Sequence, residues 1–273
     1  MNGSGRAAWG TVGEPRAPTL DAAASPGKLD MKGFIFLLGS TLTACVTASA
    51  ADVAPTQLDT IEQRAQACTP CHGKEGRAAV DGYYPRIAGK PAEYLFNQLL
   101  NFRDGRRFFP MMNYLADRQR EDYLRELAGY FASQHLPYPP PLPAKVGSAV
   151  LNRGRQLAVD GDRSLDLPAC STCHGTNLLG MMPAVPGLLG VSQYYLDAQL
   201  AAWKNSTRHA KPPDCMAQIA ERLSSADLGS VTAWLASQAV PDGALPEEQP
   251  ATSPPIRCGS MQTDSVARAS PAR

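Results

Sequence analysis

The sequence is poor in several things, and each shortage excludes a class of protein. It has only 4 histidines in 273 residues, and 26 Lys and Arg against 25 Asp and Glu, a formal charge of +1. With residues 1–50 set aside, 22 of each sign remain. No basic stripe or high pI marks a nucleic-acid binder. No apolar run reaches the length of a membrane span; the longest, Phe34 to Val46, is short and interrupted by Ser and Thr. No stretch alternates apolar and polar residues as a half-buried strand does, whereas apolar residues recur at helical spacing throughout, so the expected class is all-α.

Against that background stand 7 cysteines, an unusual load for a cytosolic protein without metal or redox chemistry. Four of them fall in two pentapeptides, CTPCH at Cys68, Cys71 and His72, and CSTCH at Cys170, Cys173 and His174. Two thiols three apart on a helical turn face one way. They can form thioethers with the two vinyl groups of one haem, and the adjacent His then meets the iron. Two copies, in a longer repeat and behind an export signal, carry far more weight than one, and they predict two covalently bound haem c groups.

Residues 31–50 supply the export signal: Lys32 as the basic start, the apolar run, and Ala48-Ser49-Ala50 as a cleavage site, which predicts a secreted protein. Leu42-Thr43-Ala44-Cys45 also resembles a lipobox. A lipid on Cys45 would tether the protein to a membrane face, whereas cleavage after Ala50 discards that cysteine. Residues 1–30 have no apolar period and read as a disordered leader, with translation expected from Met31.

Aligning the pentapeptides exposes a duplication. Pro85, Gly89, Tyr94, Leu95, Gln98, Leu99 and Phe102 fall opposite Pro186, Gly190, Tyr195, Leu196, Gln199, Leu200 and Trp203 at a constant offset. Farther on, Met112-Asn-Tyr-Leu-Ala matches Met216-Ala-Gln-Ile-Ala, and Tyr130-Phe-Ala-Ser-Gln matches Trp234-Leu-Ala-Ser-Gln. Repeats of this length indicate tandem domains and not a solenoid. The expected domains are 51–137 and 146–240, joined by a Pro-rich linker, 138–145, of extended polyproline geometry. The tail 241–273, rich in Pro, Ser and Ala, is expected to be disordered.

Within each unit three helices are expected. The first carries Leu58, Ile61, Ala65 and Cys68, with Thr56 as its cap, and its counterpart starts near Ser148. The middle one runs from Pro91 to Gly105, and Ser192 caps its counterpart. The last carry Leu124, Leu127 and Phe131, and Leu228, Val231 and Leu235, with Ser224 and Asp227 as a capping box.

A haem held by one His leaves a sixth position on the iron. Met112 and Met216 occupy matching places in the repeat, and a thioether opposite His raises the reduction potential. Met111 competes with Met112, but Met112 aligns with Met216 without a gap. Met181 and Met182 have no counterpart in the first unit and read as packing; His135 and His209 read as surface residues. Arg103, Arg106, Arg107, Lys204 and Arg208 can meet haem propionates or simply face solvent. Cys215 and Cys258 can pair in an oxidising compartment, but nothing in the sequence brings them together, and the reading leans against it.

These residues carry a resemblance. The region from Gln57 to Gln238, through CTPCH, CSTCH, PRIAGKPAEYLFNQLLNFRDG and the two Met segments leading into YFASQ and WLASQ, resembles dihaem cytochromes of the cytochrome c4 type. That resemblance implies two class I cytochrome c folds and an electron carrier serving a terminal oxidase, a cytochrome bc1-type complex or a dehydrogenase, with Cys68, Cys71, Cys170 and Cys173 holding haem and His72, Met112, His174 and Met216 as axial ligands. The alternatives are a haem subunit of a membrane-associated complex and a dihaem peroxidase, which needs an open coordination position. Two Cys-x-x-Cys pairs on one zinc leave the repeated His and Met unexplained, and thioredoxin-like exchange lacks its strands.

Overall fold

Ten α-helices, four 3-10 turns and one hairpin of two-residue strands form the regular structure among the described residues, in a computed structural model that describes residues 59–79, 81–248 and 254–261. The chain divides between Ala54 and Pro55. The leader, the export signal, Cys45, Thr56 and Leu58 lie outside the described residues.

In the first half, α1 (Ile61–Ala65) starts one turn later than the apolar spacing suggests, because the capping box is made by Thr60 and Gln63. The Thr60 hydroxyl accepts from the Gln63 N–H at 3.4 Å, and the Gln63 side chain accepts from the Thr60 N–H at 3.0 Å. A 3-10 turn leads straight into α2 (Thr69–His72), which ends at Gly73. Then follow α3 (Ala92–Arg103), entered at Pro91, α4 (Pro110–Ala116) and α5 (Glu121–Ala132). Ala65, Leu95, Phe96, Leu124, Leu127, Ala128 and Phe131 form their core.

The second half repeats the order. Helix α6 (Ser148–Val159) is followed by a loop through residue 169, then α7 (Ser171–His174), α8 (Gln193–Lys204), α9 (Cys215–Arg222) and α10 (Ser225–Ala236). Ser192 and Ser224 cap α8 and α10 as expected, accepting from the N–H groups of Tyr195 and Asp227. Between α7 and α8, β1 (Gly180–Met181) pairs antiparallel with β2 (Val185–Pro186), a hairpin that helical periodicity could not reveal. Leu157, Leu178, Leu189, Leu196, Leu223, Val231 and Leu235 are among the residues of this core. Helices α6 and α10 cross at Gly154, where an added Cβ would lie 2.1 Å from the Ser230 carbonyl oxygen.

The linker forms no helix or strand, and it is pinned at its N-terminal end. Arg86 donates to the carbonyls of Leu136 (2.5 Å) and Pro137 (3.3 Å) and stacks on the Tyr138 ring at 3.9 Å. Tyr138 in turn packs where Gly190, at φ +67, has no side chain.

Composition predicts disorder for the tail, yet Glu247 and Cys258 tie it to the second half. Glu247 adds its backbone to the hairpin, donating to Gly180 O at 2.9 Å and accepting from Met182 N at 2.7 Å, while its carboxylate takes the Thr176 N–H, the Thr176 hydroxyl and the Asn177 N–H. Cys258 is bonded to Cys215, with Cα atoms 5.0 Å apart. This pairing reverses the sequence reading, which had no way to know that the tail folds back over α9. The bridge closes a loop spanning 43 residues. Replacing both cysteines with serine is expected to lower the stability of the second half by up to about 4 kcal/mol on chain-entropy grounds, read from the shift of the urea midpoint at unchanged slope.

Candidate haem sites and the interface between them

Each Cys-x-x-Cys-His segment forms a short helix whose histidine is buried. His72 is 7% exposed and His174 is 8% exposed. Their ring nitrogens find repeat-equivalent partners: His72 Nδ1 lies 2.9 Å from the Pro85 carbonyl oxygen, and His174 Nδ1 lies 2.8 Å from that of Pro186. A carbonyl oxygen can only accept, so Nδ1 carries the proton in both rings. Burial, the larger effect, also pulls both imidazoles below their ordinary pKa. The result in each half is a neutral, oriented imidazole with its Nε2 lone pair uncommitted, the state a metal ligand requires.

The four motif cysteines are free thiols in the described structure. Burial pushes the Cys170 thiol up to about 12 and raises those of Cys68 and Cys173 as well. Thiol–disulfide exchange needs a low-pKa thiolate, so these surroundings argue against it. Among the described residues no three His, Cys, Asp or Glu side chains converge as a metal cage, so the two Cys-x-x-Cys pairs are not gathered on one zinc.

The methionines separate by burial. Met112, on α4, and Met216, on α9, are both half-buried, whereas Met111 is 52% exposed. Met181 is buried in β1, and His135 and His209 are exposed, as expected of packing and surface residues.

The five candidate propionate partners also sort themselves. Arg103 pairs with Asp104 and Glu121, and Arg106 with Asp104. Lys204 donates to the carbonyls of Ala220 and Leu223 at the end of α9, so it serves as a helix cap instead. Arg107 and Arg208, by contrast, are 8% and 5% exposed, and among the described residues neither has an ion pair. They occupy equivalent positions in the repeat and face each other across the junction of the halves. Arg107 donates to Gln98 (2.9 Å), Gln199 (2.7 Å) and the Tyr195 hydroxyl (2.6 Å). Arg208 donates to Gln199 (2.6 Å) and Gln98 (2.9 Å), and it also bonds Tyr94. The two arginines form a backbone bridge, and each stacks on the aromatic ring of its own middle helix, Phe102 at 4.5 Å or Trp203 at 3.7 Å.

Two guanidiniums buried side by side without a carboxylate are costly unless an anion completes the set. Burial, then Arg107 beside it, pulls Arg208 down to about 10. Trp203 adds a second sign of something missing, for its Nε1 is buried without a hydrogen-bond partner. Haem carries two propionate carboxylates, and an orphaned indole donor together with an unpaired arginine pair is a donor set of the matching kind. The residues present therefore fit haem in chemistry as well as in spacing. A constant offset of 101 relates Arg107 to Arg208 just as it relates Gln98 to Gln199, and this was the available sequence signal for the pair. The orphaned indole had no such signal.

The halves also meet at Lys90, whose Nζ donates to the Gly187 carbonyl at 2.9 Å, at Ser192, whose hydroxyl donates to the Gly82 carbonyl, and at His209 N–H, which donates to Arg106 O. Burial, with Arg86 beside it, holds the Lys90 ammonium down at about 8.

Two helical domains, each with a Cys-x-x-Cys-His turn, an anchored neutral histidine and a half-buried methionine at the matching place, define a dihaem c-type cytochrome built from tandem class I folds. The chain is 36% identical over 185 residues to the thiosulfate dehydrogenase electron acceptor of Thiomonas intermedia, covering 68% of this chain and 84% of that protein. It is 29% identical over 179 residues to cytochrome c4 of Pseudomonas aeruginosa, covering 64% and 85%. It belongs to the cytochrome c4 family of dihaem electron carriers, with two covalently bound haem c groups. Among solved structures, reduced cytochrome c4 from Pseudomonas stutzeri aligns with a TM-score of 0.57 at 25% identity, covering 65% of this chain and 96% of that one. The thiosulfate dehydrogenase TsdBA from Marichromatium purpuratum aligns with a TM-score of 0.57 at 32% identity, covering 63% of this chain but only 36% of the larger one. No family model matches the chain.

Proposed function

We propose that the protein is a periplasmic carrier that accepts electrons from a dehydrogenase and passes them to a terminal oxidase or another respiratory acceptor, with no catalysis of its own. Cys68 and Cys71 hold the first haem and Cys170 and Cys173 the second. His72 with Met112, and His174 with Met216, would hold the two irons. Arg107, Arg208 and Trp203 hold propionates at the junction. Bound haem supplies a reversible one-electron couple. The protein's part is to fix the ligands, exclude water and balance charge, so that little rearranges when an electron arrives.

The observation that carries this reading is the pair of histidines, each buried, each protonated on Nδ1 by its bond to a proline carbonyl, and each matched by a half-buried methionine in its own half. The names of two relatives, both called thiosulfate dehydrogenase electron acceptor, favour a dehydrogenase as donor. Export rests on residues 31–50, and no helix among the described residues is long and apolar enough to cross a membrane.

Redox titration of the holoprotein, followed by its visible spectrum, is expected to show two one-electron steps, and added peroxide is expected to turn over slowly. A single redox centre refutes the carrier reading, and rapid peroxide turnover with one missing Met signature replaces it with a peroxidase. A second reading, a subunit held permanently in a dehydrogenase complex, is favoured by the exposed apolar strip beside Met112, where Phe108 is 71% and Tyr114 is 76% exposed. Co-purification with a large partner would select it.

A further inference from the structure

Two features of the second half have no counterpart in the first. One is the loop of residues 160–169 ahead of Cys170; in the first half the helix runs through a single turn directly into Cys68. The other is the C-terminal stretch 254–261, which follows the second half alone. These additions meet beside α9 and border an open cleft of about 640 Å³ whose lining includes Arg163, Asp166, Pro168, Gln218, Arg222 and Arg257.

The lining carries three guanidiniums and one carboxylate, a formal charge of +2 in a chain whose residues 51–273 sum to zero. Arg222 is engaged with Asp166, at 3.0 Å to the carboxylate and 2.5 Å to its carbonyl. Among the described residues, neither Arg163 nor Arg257 has an ion pair, and both are exposed.

Both walls are fixed. On the loop side, Asp162 accepts from the Ser164 N–H and hydroxyl and pairs with Arg153 at 2.8 Å; Arg153 also pairs with Asp227 of α10 at 2.7 Å. Its hydrogen bonds from Ser164 and Arg153 hold the Asp162 carboxyl down at about 2, so the brace persists across the physiological range. On the tail side, the Cys215–Cys258 bridge anchors Arg257 to the first turn of α9. Gly259 N–H donates to Pro213 O at 2.9 Å, and Asn97 of the first half donates to Ser260 O at 3.2 Å.

The position in the chain gives the cleft its meaning. Pro168 precedes Cys170 by two residues and Gln218 follows Met216 by two, so whatever sits there lies against the segments bearing the attachment and ligand residues of the second site. We propose that this cleft is the docking point of a redox partner protein that presents carboxylates to the second haem site. The proposal rests on the carrier reading and adds the face through which electrons are exchanged. Guanidinium forks match carboxylates bidentately, and exposed charges act mainly on the rate of encounter, the quantity a transient carrier depends on. The cleft opens widely to solvent, a shape that admits side chains presented by another protein's surface.

The test uses the reduced holoprotein and hexacyanoferrate(III), a trianionic oxidant, at low ionic strength; one electron leaves the protein for each reagent ion reduced to hexacyanoferrate(II). The R163Q/R222Q/R257Q variant should react at least about threefold more slowly, with no slowing toward the cationic tris(phenanthroline)cobalt(III). The R163Q/R257Q variant, which keeps the Arg222–Asp166 pair, should show most of the same loss, which guards against a folding defect in the triple variant. A hexaglutamate peptide should slow the wild-type reaction and leave the triple variant unaffected. Equal hexacyanoferrate rates in wild type and variants would overturn the cleft as a docking point. Sodium sulfate slowing the reaction as well as the peptide does, at matched ionic strength, would make it a small-oxyanion site and overturn the protein-partner assignment. Haem content and the two one-electron steps are measured on every variant; their absence in the wild type would overturn the carrier reading and the docking point with it, whereas equal rates with both steps present overturn the docking point alone.

Discussion

Substituting leucine for Met216 will abolish one of the two far-red sulfur-to-iron absorption bands and lower one of the two reduction potentials, leaving the other couple in place. Leucine keeps nearly the volume of methionine, so the second core should survive, while the soft sulfur donor that favours reduced iron is gone. The drop should be on the order of 0.1 V, within the roughly 0.8 V that axial ligands command. Met112→Leu should do the same to the other band and couple. Met111→Leu is the internal control: its side chain is more than half exposed, and both bands should remain. If the band of the first site disappears with Met111 and survives the loss of Met112, the ligand assignment there is wrong.

The second large effect is expected at Gly154, with no change in charge or chemistry. A leucine there would place its Cβ 2.1 Å from the Ser230 carbonyl oxygen and 2.7 Å from the Trp234 Cβ, both on α10. Neither neighbour is the free end of a flexible side chain, so α6 and α10 would have to separate, opening the core around Leu157, Val231 and Leu235. Overpacking and the lost burial together should cost about 3–5 kcal/mol, seen as an earlier denaturant transition in the fluorescence of Trp203 and Trp234. Gly129, in α5, has nothing within 4 Å of an added Cβ. Gly129→Ala should therefore stabilise the first half by about 0.5–1 kcal/mol through helix propensity. Equal, small effects at both glycines would show that the tight crossing is not what holds the second half together.

What the sequence made legible follows from what is local. Cys-x-x-Cys-His spans little more than one helical turn, Ser192 and Ser224 cap helices that begin at the next residue, and the constant offset between halves needs only counting. The all-α class and the tandem arrangement came through the same short-range signals. The failures have the opposite character. Thr60 caps the first helix because of its reciprocal bond with Gln63, a local pairing that apolar spacing does not register. Lys204 and Arg208 are four residues apart, and only the packed structure distinguishes a helix cap from a buried guanidinium. The Cys215–Cys258 bridge joins a residue of the second domain to one that composition assigned to a loose tail. Its formation depends on the chain turning back, for which Pro, Ser and Ala give no sign.

The shared arginine–glutamine ring makes the two halves meet through the same patch on each, as the subunits of a symmetric homodimer do. Here a covalent tether enforces that pairing. The stoichiometry of the two centres is therefore locked at one to one, and passage of charge between them is a first-order event, indifferent to dilution. Coupling that two separate subunits would lose on dilution is retained within one chain.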